Sequence, residues 1–330
     1  MAACGGPGNA TVNQSSPSSR APGLRADTWT WDGAAWHSVA AGGPSPRYAA
    51  AMAYDEQHKT YVLFGGQTKD GSSDETWLFD GSKWTQATPA HKPTARRNPA
   101  MAYDPAQKNV VLYGGLVQDK GEGVPAADTW GWDGADWSVL NSYSDTVGQR
   151  LGASVVTAGD KILLFGGGLA FNDGLTADAF AWDGHVWSSI DRESRPSGRY
   201  GAALAWNPND SSLLVFGGNG ADPNAGPGAA GIPLASTWSL RGGVWTLLAS
   251  AGPPPTGQPN AIWQANPGRM VVMFGMAGAS CPKATNAVWA WNGKAWSQLA
   301  NAAPPPRWGA ALAQDADAAL VFGGSDQPGC

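Results

Sequence analysis

Five arginines recur at intervals of about 50 residues, each just before a short run of small and apolar residues. A guanidinium group can hold carboxylate, sulfate or phosphate through two parallel hydrogen bonds, so several arginines together could form an anion site. Alternatively, regularly recurring acids could pair with the arginines and hold adjacent repeats together, an interpretation that we favour. The arginines are Arg47, Arg96, Arg150, Arg199 and Arg307, with Gln258 at this place in one repeat, and the acids are Asp27, Glu75, Asp128 and Asp178.

The position after each arginine is more varied, and three of its occupants are aromatic. An aromatic ring beside a guanidinium group suits the face of a sugar ring or an acidic saccharide, whereas the alternative is that these side chains only pack against one another. The six residues at this position are Tyr48, Arg97, Leu151, Tyr200, Pro259 and Trp308.

No combination of residues predicts catalysis or a metal centre. The four histidines, His37, His58, His91 and His185, fall on different parts of the repeats, so they are not expected to converge on one metal ion or one nucleophile. Acidic residues occur in the connections without calcium-loop spacing. We therefore expect no metal and no cofactor. These acids are Asp70, Asp74, Asp119, Glu122, Asp173 and Asp222.

The three cysteines suggest a location outside the cytoplasm. Cys4 follows small residues and precedes a segment rich in Gly, Ser and Pro, which predicts a lipidated cysteine on a flexible tether over residues 1–24. The alternative is a cysteine without function in a disordered tail. Cys281 and Cys330 fall in equivalent connections of adjacent repeats, where they could form a disulfide or remain free thiols.

Two short phrases repeat out of phase along the chain and predict its architecture. The first resembles Thr-Trp-x-Trp-Asp-Gly-x-x-Trp, and the second is an apolar run that ends in Gly-Gly. A period of about 50 residues indicates a toroidal array of small sheets. The first phrase lies at 28–36, 76–84, 129–137, 179–187, 237–245 and 288–296, and the second at 62–66, 111–115, 163–167, 214–218, 272–276 and 320–324.

Each repeat predicts four strands joined by turns. The first strand is rich in Ala and Gly, which suits the crowded centre of a torus, and the third and fourth carry large aromatic residues for the wider gaps at its periphery. Of the 18 tryptophans, 15 fall in the first phrase, so we expect them to form the core between neighbouring sheets rather than a ligand site.

In combination, the arginine before the first strand, the Gly-Gly after the second and the Trp that opens the fourth resemble the kelch repeat over residues 25–330. The resemblance implies an all-β, six-bladed kelch β-propeller with four-stranded blades and a distant similarity to the central domain of galactose oxidase. The N-terminal hairpin at 27–40 should supply strands three and four of a blade whose strands one and two lie at 307–324. Two repeats depart from the pattern: Leu240-Arg241-Gly242 replaces Trp-Asp-Gly, and Phe274-Gly275-Met276 loses the second Gly.

The resemblance also implies a site. It places the recurring arginines and their following residues around the mouth of a central channel. The connections between strands two and three emerge on the same face and vary in length, as binding loops do. They are 67–74, 116–127, 168–177 and 219–235. The predicted ligand-binding residues are Arg47, Tyr48, Arg96, Arg97, Arg150, Arg199, Tyr200, Gln258, Arg307 and Trp308.

The net charge and the composition of the chain exclude some classes of function. The net charge is −5 and no basic cluster occurs, which argues against nucleic-acid binding, and no run of 18 apolar residues predicts a membrane span. We expect a monomeric, extracytoplasmic interaction module, secreted or lipid-anchored, that recognises a protein, glycan or cell-wall component through the face with variable connections. One alternative is a carbohydrate-active lyase, epimerase or hydrolase that uses arginines and carboxylates at the channel mouth. Another is a purely structural surface protein.

Overall fold

The computed structural model describes residues 23–39, 42–119, 122–169, 174–192, 195–221, 231–278, 282–299, 304–316 and 318–327. These residues form six antiparallel four-stranded sheets, and in each the first strand pairs with the second, the second with the third and the third with the fourth. The prediction of an all-β kelch propeller is confirmed. None of the described residues belongs to a helix that could cross a membrane. Cys4, Cys281 and Cys330, with the predicted tether up to residue 22, lie outside the described residues.

Each of the six blades has four strands, numbered one to four from the centre of the propeller outward, and each set of strands is given in order from blade one to blade six. First strands are Ala51–Asp55, Ala100–Asp104, Ser154–Ala158, Ala203–Asn207, Asn260–Gln264 and Ala311–Gln314. Second strands are Thr60–Phe64, Asn109–Tyr113, Lys161–Gly168, Ser212–Phe216, Arg269–Met273 and Ala319–Phe322. Third strands are Thr76–Phe79, Thr129–Trp132, Leu175–Trp182, Thr237–Arg241, Val288–Trp291 and Thr28–Trp31. Fourth strands are Trp84–Ala87, Trp137–Asn141, Trp187–Ser189, Val244–Ala249, Trp296–Leu299 and Trp36–Val39.

Blade six combines the two ends of the described chain. Its third strand, near the N-terminus, pairs with its second strand near the C-terminus, with Thr28 opposite Phe322 and Trp31 opposite Ala319. The first strands of successive blades contact one another in a continuous series that returns from blade six to blade one. Because this ring is narrow, alanine recurs along its strands. The pairing removes the exposed sheet edge that each end would otherwise present.

Tryptophans fill the spaces between blades, as the sequence predicts. Trp132 in the third strand of blade two and Trp137 in its fourth are almost completely buried, with ring centroids 5.4 Å apart. Trp137 also packs against Phe64 of blade one, at 5.4 Å between centroids. Similar pairs recur in other blades, for example Trp31 with Trp36 at 5.1 Å. These rings contribute the apolar burial that holds one blade against the next.

The threonine that opens the repeated phrase ties two blades together. Thr76 of blade one accepts a hydrogen bond at 2.9 Å from Nε1 of Trp137 in blade two. Equivalent bonds join Thr28 to Trp84, Thr129 to Trp187, and Thr237 to Trp296. Valine replaces this threonine at Val288, and Nε1 of Trp36 in the next blade has no acceptor in the described part of the chain.

The connections between second and third strands contain short hairpins rather than simple loops. The paired segments are Gln67–Thr68 with Gly71–Ser72, Leu116–Asp119 with Glu122–Pro125, Asn219–Gly220 with Ile232–Pro233, and Met276–Ala277 with Lys283–Ala284. In blade three the second and third strands themselves extend to form the hairpin. Three hairpins gain a further strand from the link that precedes the first strand, at Arg96–Arg97, Arg199–Tyr200 and Thr256–Gly257.

Candidate functional site at the channel mouth

The starts of all six first strands enclose a cavity of about 200 Å³ on the face that carries the hairpins. Six residues around the cavity have positive φ. Three of them are not glycine and adopt this conformation only at a cost in free energy: Ala49 (57°), Asn98 (52°) and Gln258 (50°). The other three are Gly152, Gly201 and Gly309.

This conformation allows neighbouring blades to bond around the mouth. The N–H of Ala49 donates to Gly309 O at 2.7 Å, and the N–H of Asn98 donates to Ala49 O at 2.8 Å. The series continues through Gly152 and Gly201 with bonds of 3.0 and 2.8 Å. Among the described residues, no corresponding backbone bond involves Gln258. The mouth is therefore a rigid backbone ring that is interrupted at blade five.

Each recurring arginine precedes a residue of this ring by two positions, and all five are buried. Arg96 shows their arrangement: Nη1 and Nη2 donate to the two carboxylate oxygens of Asp128 at 2.6 and 2.9 Å, while Nη1 also donates to Gly114 O at 2.9 Å. The indole N–H of Trp130 donates to the same carboxylate at 2.7 Å. The arginine thus fixes the first glycine of the Gly-Gly pair and the start of the third strand.

The backbone of Arg96 bonds to blade one, where its N–H donates to Ser73 O at 3.1 Å and its carbonyl oxygen accepts from Gly66 N–H at 2.9 Å, so the arginine and its acid connect adjacent blades as expected. Three other arginines make the same ion pair within their own blade. They are Arg47 with Glu75, Arg150 with Asp178, and Arg307 with Asp27, at nitrogen–oxygen distances of 2.5, 2.5 and 2.8 Å. Burial raises the pKa of each of the four paired carboxyl groups, but the bonds and charge of the arginine outweigh it, so each pKa lies below its ordinary value. The structural interpretation accounts for these contacts, and ligand binding by these arginines stays a prediction.

Blade four keeps its arginine but has serine in place of the acid. Arg199 is buried and donates to Gly217 O, Ser236 Oγ, Ser197 O and Ser197 Oγ at 3.0 to 3.2 Å. It has no carboxylate partner among the described residues. Burial lowers the pKa of this guanidinium group to about 10, because no nearby negative charge compensates the lost hydration.

Two sequence predictions for blade five are wrong: one places the arginine-equivalent position two residues too late, and the other places the Gly-Gly pair one residue too late. The position equivalent to arginine is Thr256, which opens a short strand as Arg96 does, whereas Gln258 lies two residues further on in the mouth ring. Register also shows that Phe274, with a φ of 62°, replaces the first glycine of the pair, and that Gly275 is the second. The repeated sequence pattern misaligns at blade five because this blade lacks both the arginine and the first glycine of the Gly-Gly pair.

The residues after the arginines form a rim around the mouth. Tyr48 and Trp308 belong to blades one and six, and their rings meet edge to face with centroids 4.9 Å apart. Arg97 donates to Gln67 Oε1 at 2.9 Å, so the hairpin of blade one orients it. Burial raises the pKa of Tyr200, against the opposing effect of hydrogen bonds with Asn219 and Gln258. Tyr48, Arg97 and Trp308 are half-buried and can contact a partner.

The remaining chemical groups do not assemble. Three of the four histidines, His37, His58 and His91, pair separately with acids on turns and links, as in His58 with Asp55 at 2.8 Å and His91 with Asp136 at 2.8 Å. Within the described residues no three His, Cys, Asp or Glu side chains could hold one metal ion. Among the acids of the connections, Asp70 and Asp74 pair with lysines. Asp173 and Asp222 lie outside the described residues.

A ring of four-stranded blades, with an arginine and a Gly-Gly pair in most of them, defines the chain as a β-propeller of the kelch class. Residues 152–330 match a family model described as the KLHDC2/KLHL20/DRC7 Kelch-repeats domain, and the chain belongs to this kelch-repeat family. No curated protein sequence matches it. Kelch domains bind proteins, and the kelch repeats mark this chain as a protein-interaction module.

Proposed function

We propose that this protein binds a protein partner through the hairpin face, with the rim of the channel mouth at the centre of the contact. Tyr48, Arg97 and Trp308 are the rim residues expected to carry most of the affinity, because aromatic and arginine side chains dominate binding energy in protein interfaces. The observation that carries the proposal is the edge-to-face pair of Tyr48 and Trp308, presented half-buried beside the backbone ring.

The hairpins support a partner larger than a small molecule. They differ in length from blade to blade and project from the same face as the rim, so they offer a broad and irregular surface on a rigid base. The recurring arginines hold their own carboxylates and backbone carbonyls beneath that surface. The alternative of a carbohydrate-active enzyme therefore gains no support from them.

The test is a comparison of rim variants with a control on the opposite face. Partners are recovered from an extract of the source cells with the immobilised chain, and the affinity of the purified partner is then measured by biolayer interferometry. Trp308→Ala and Arg97→Ala should each weaken binding by about tenfold or more, as hot-spot truncations do. Val244→Ser, at an exposed turn of the opposite face, should leave affinity unchanged.

Circular dichroism and thermal melting show whether each variant keeps its fold. If both rim variants fold and bind with full affinity, the rim is not the contact. A loss confined to Val244→Ser would move the contact to the other face. Either result contradicts the proposal.

We propose further that the protein acts outside the cytoplasm, where a glycan or cell-wall component is a second candidate ligand of the same face. The support is from sequence: Cys4 precedes a Gly-, Ser- and Pro-rich segment, and Cys281 and Cys330 occupy equivalent connections. Intact-mass analysis of protein from the source cells should show lipid on Cys4, and alkylation without reduction should leave Cys281 and Cys330 unlabelled. Unmodified Cys4 with two labelled thiols would contradict this location.

A further inference from the structure

The opposite end of the channel, on the face with the short turns, contains a second and larger cavity of about 390 Å³. Its size lies within the ~300–1,000 Å³ range of small-ligand pockets. The fourth residue of the first strand in every blade lines it: Tyr54, Tyr103, Thr157, Trp206, Trp263 and Gln314. Four of these six equivalent positions therefore carry an aromatic ring, at the narrowest part of the propeller where alanine otherwise predominates.

The blades that carry the aromatic residues lie in pairs on opposite sides of the channel axis. In the ring of first strands, blade one lies opposite blade four, and blade two lies opposite blade five. Tyr54 is therefore across the axis from Trp206, and Tyr103 is across from Trp263. Blades three and six, which also oppose each other, carry the two polar residues.

The polar residues fix the aromatic strands in place. Thr157 Oγ1 donates to the backbone oxygen of Tyr103 at 2.7 Å. The Gln314 amide accepts from the Trp263 N–H at 3.2 Å and donates to the Trp263 oxygen at 2.7 Å. Each polar side chain thus completes a bond to a neighbouring blade at the level of the rings, which makes the pocket wall rigid.

The charges that line this cavity are negative. Glu56 is exposed, and Asp315 accepts hydrogen bonds from Tyr61 Oη and from the N–H of Ala318, each at 2.7 Å. No lysine, arginine or histidine lines the cavity within the described residues. Lysines occur on the nearby turns, at Lys59, Lys108 and Lys161, and their side chains are exposed to solvent.

Two tyrosines near this cavity have raised pKa values. The pKa of Tyr103 is raised by burial and by the nearby carboxylates of Asp55, Glu56 and Asp104. Burial and Asp315 likewise raise the pKa of Tyr61. Burial is the larger cause of both shifts, and the carboxylates add a smaller contribution of the sign expected from the lining charges.

We propose that this aromatic end of the channel binds an organic cation, namely a lysine or arginine side chain presented by a protein partner. Aromatic faces attract a cation through their quadrupole, most strongly for tryptophan, and the attraction grows when the cation is partly desolvated. Glu56 and Asp315 add charge complementarity at the opening. This site lies at the other end of the propeller from the rim of the channel mouth, so the two contacts can be tested separately.

The probe is the tripeptide acetyl-Gly-Lys-Gly-amide, compared with its norleucine counterpart, which keeps the alkyl chain without the charge. Binding is followed by the ¹H–¹⁵N signals of the indole groups of Trp206 and Trp263, assigned with Trp206→Phe and Trp263→Phe. The lysine peptide should shift both signals in a saturable manner, with weaker affinity at higher salt, and the norleucine peptide should not.

Two variants and one control locate the site. Trp263→Leu should weaken the lysine peptide by about 2- to 30-fold, the range of a single cation–π contact. Glu56→Gln changes an exposed side chain, so it keeps the fold and should weaken binding while reducing its salt dependence. Trp308→Leu at the rim should bind the lysine peptide as the parent does.

Equal affinity for the lysine and norleucine peptides would identify an apolar pocket and overturn the proposal. Saturable shifts with a neutral disaccharide but not with the lysine peptide would also overturn it. The same holds if neither indole signal moves at about 20 mM lysine peptide, a concentration chosen to exceed about 1 mM, the dissociation constant for ~4 kcal/mol of binding.

Discussion

Replacing Ser236 by aspartate should stabilise blade four, because it supplies the one carboxylate that the ion-pair pattern lacks there. Ser236 immediately precedes the third strand, as Asp128 does in blade two. Its hydroxyl already accepts a hydrogen bond from Arg199 Nη1 at 3.2 Å. In blades one, two and six the indole N–H two residues further on also donates to the acid. The corresponding Trp238 Nε1 is buried and has no acceptor in the described part of the chain.

The expected gain follows from these two donors, the guanidinium group without a counter-ion and the indole N–H without an acceptor. Hydrogen bonds to a charged group contribute about 1.5–3 kcal/mol when buried, and the equivalent carboxylate side chains of Asp128 and Asp178 are 21% exposed. Discounting for solvent screening, we expect a gain of about 1–2 kcal/mol from Ser236→Asp. With an unfolding entropy of ~2.1 cal/mol/K per residue, this corresponds to a rise of roughly 1.5–3 °C in melting temperature.

The assay is thermal and urea unfolding of three variants against the parent. Ser236→Asn has nearly the same shape without the charge and should give less than half the gain. Asp128→Ser makes the reverse change and should cost about 1–3 kcal/mol, because it leaves Arg96 buried without its partly screened counter-ion. The gain from aspartate should be present above its unfolded pKa of about 4 and be lost as pH falls below it, since pairing lowers the folded pKa.

Three results would refute the reasoning: an unchanged melting temperature for Ser236→Asp, an equal gain for Ser236→Asn, or a gain at about pH 3 that is as large as the gain at about pH 7. The first would mean that Arg199 is already neutralised in the folded protein. The second would assign the effect to shape or hydrogen bonding rather than to charge. The third would show that ionisation of the new carboxyl group is irrelevant.

Three further outcomes are expected. Thr76→Val removes the acceptor of Trp137 and should cost about 1–3 kcal/mol in urea unfolding, whereas Val288→Thr gives Trp36 an acceptor and should add about 1 kcal/mol; equal effects in the same direction would contradict this. Gly65→Ala should cost more than about 2 kcal/mol, since φ is +71° and the new Cβ would lie 2.6 Å from a backbone oxygen; a neutral effect on melting would contradict it. The four paired carboxylates have lowered pKa values, so their stabilisation should be complete above their ordinary values of 3.8 to 4.5 and be lost below; a melting temperature that stays constant from about pH 6 to about pH 2.5 would contradict it.

The repeated features of the fold could be predicted because most copies of the sequence phrase make the same contacts. The threonine that opens the phrase accepts a hydrogen bond from the tryptophan that closes the phrase of the next blade, as Thr76 does from Trp137. The arginine bonds to the first glycine of Gly-Gly, as Arg96 does to Gly114. Repetition therefore reveals contacts between residues that are far apart in the chain. The hairpins in the connections between strands two and three are not predictable in this way, since they do not repeat and carry no alternating pattern of their own.

Blade five shows where pattern matching fails. Thr256 occupies the position that arginine has in the other blades, and Phe274 occupies the position of the first glycine. The repeated sequence pattern therefore aligns with the nearest similar residues, Gln258 and Met276, instead. Only strand register, with Asn260 opposite Met273, decides the correct equivalence. The ring of positive φ values at the mouth could not be predicted either, because its six members are alanine, asparagine, glutamine and glycine, which share no side-chain property.

The departures from the repeated bonding pattern concentrate in blades four and five, which are adjacent. Arg199 lacks a carboxylate among the described residues, Thr256 replaces an arginine, and the backbone ring at the mouth has no bond at Gln258. Each of these changes removes a bond that, in the other blades, holds an adjacent segment of the chain in place. Local opening requires the least free energy where such bonds are fewest, so blades four and five should show the fastest amide exchange around the mouth. Hydrogen exchange at the Gln258 amide equal to that at Asn98 would show that the ring is as rigid where it is interrupted as where it is continuous.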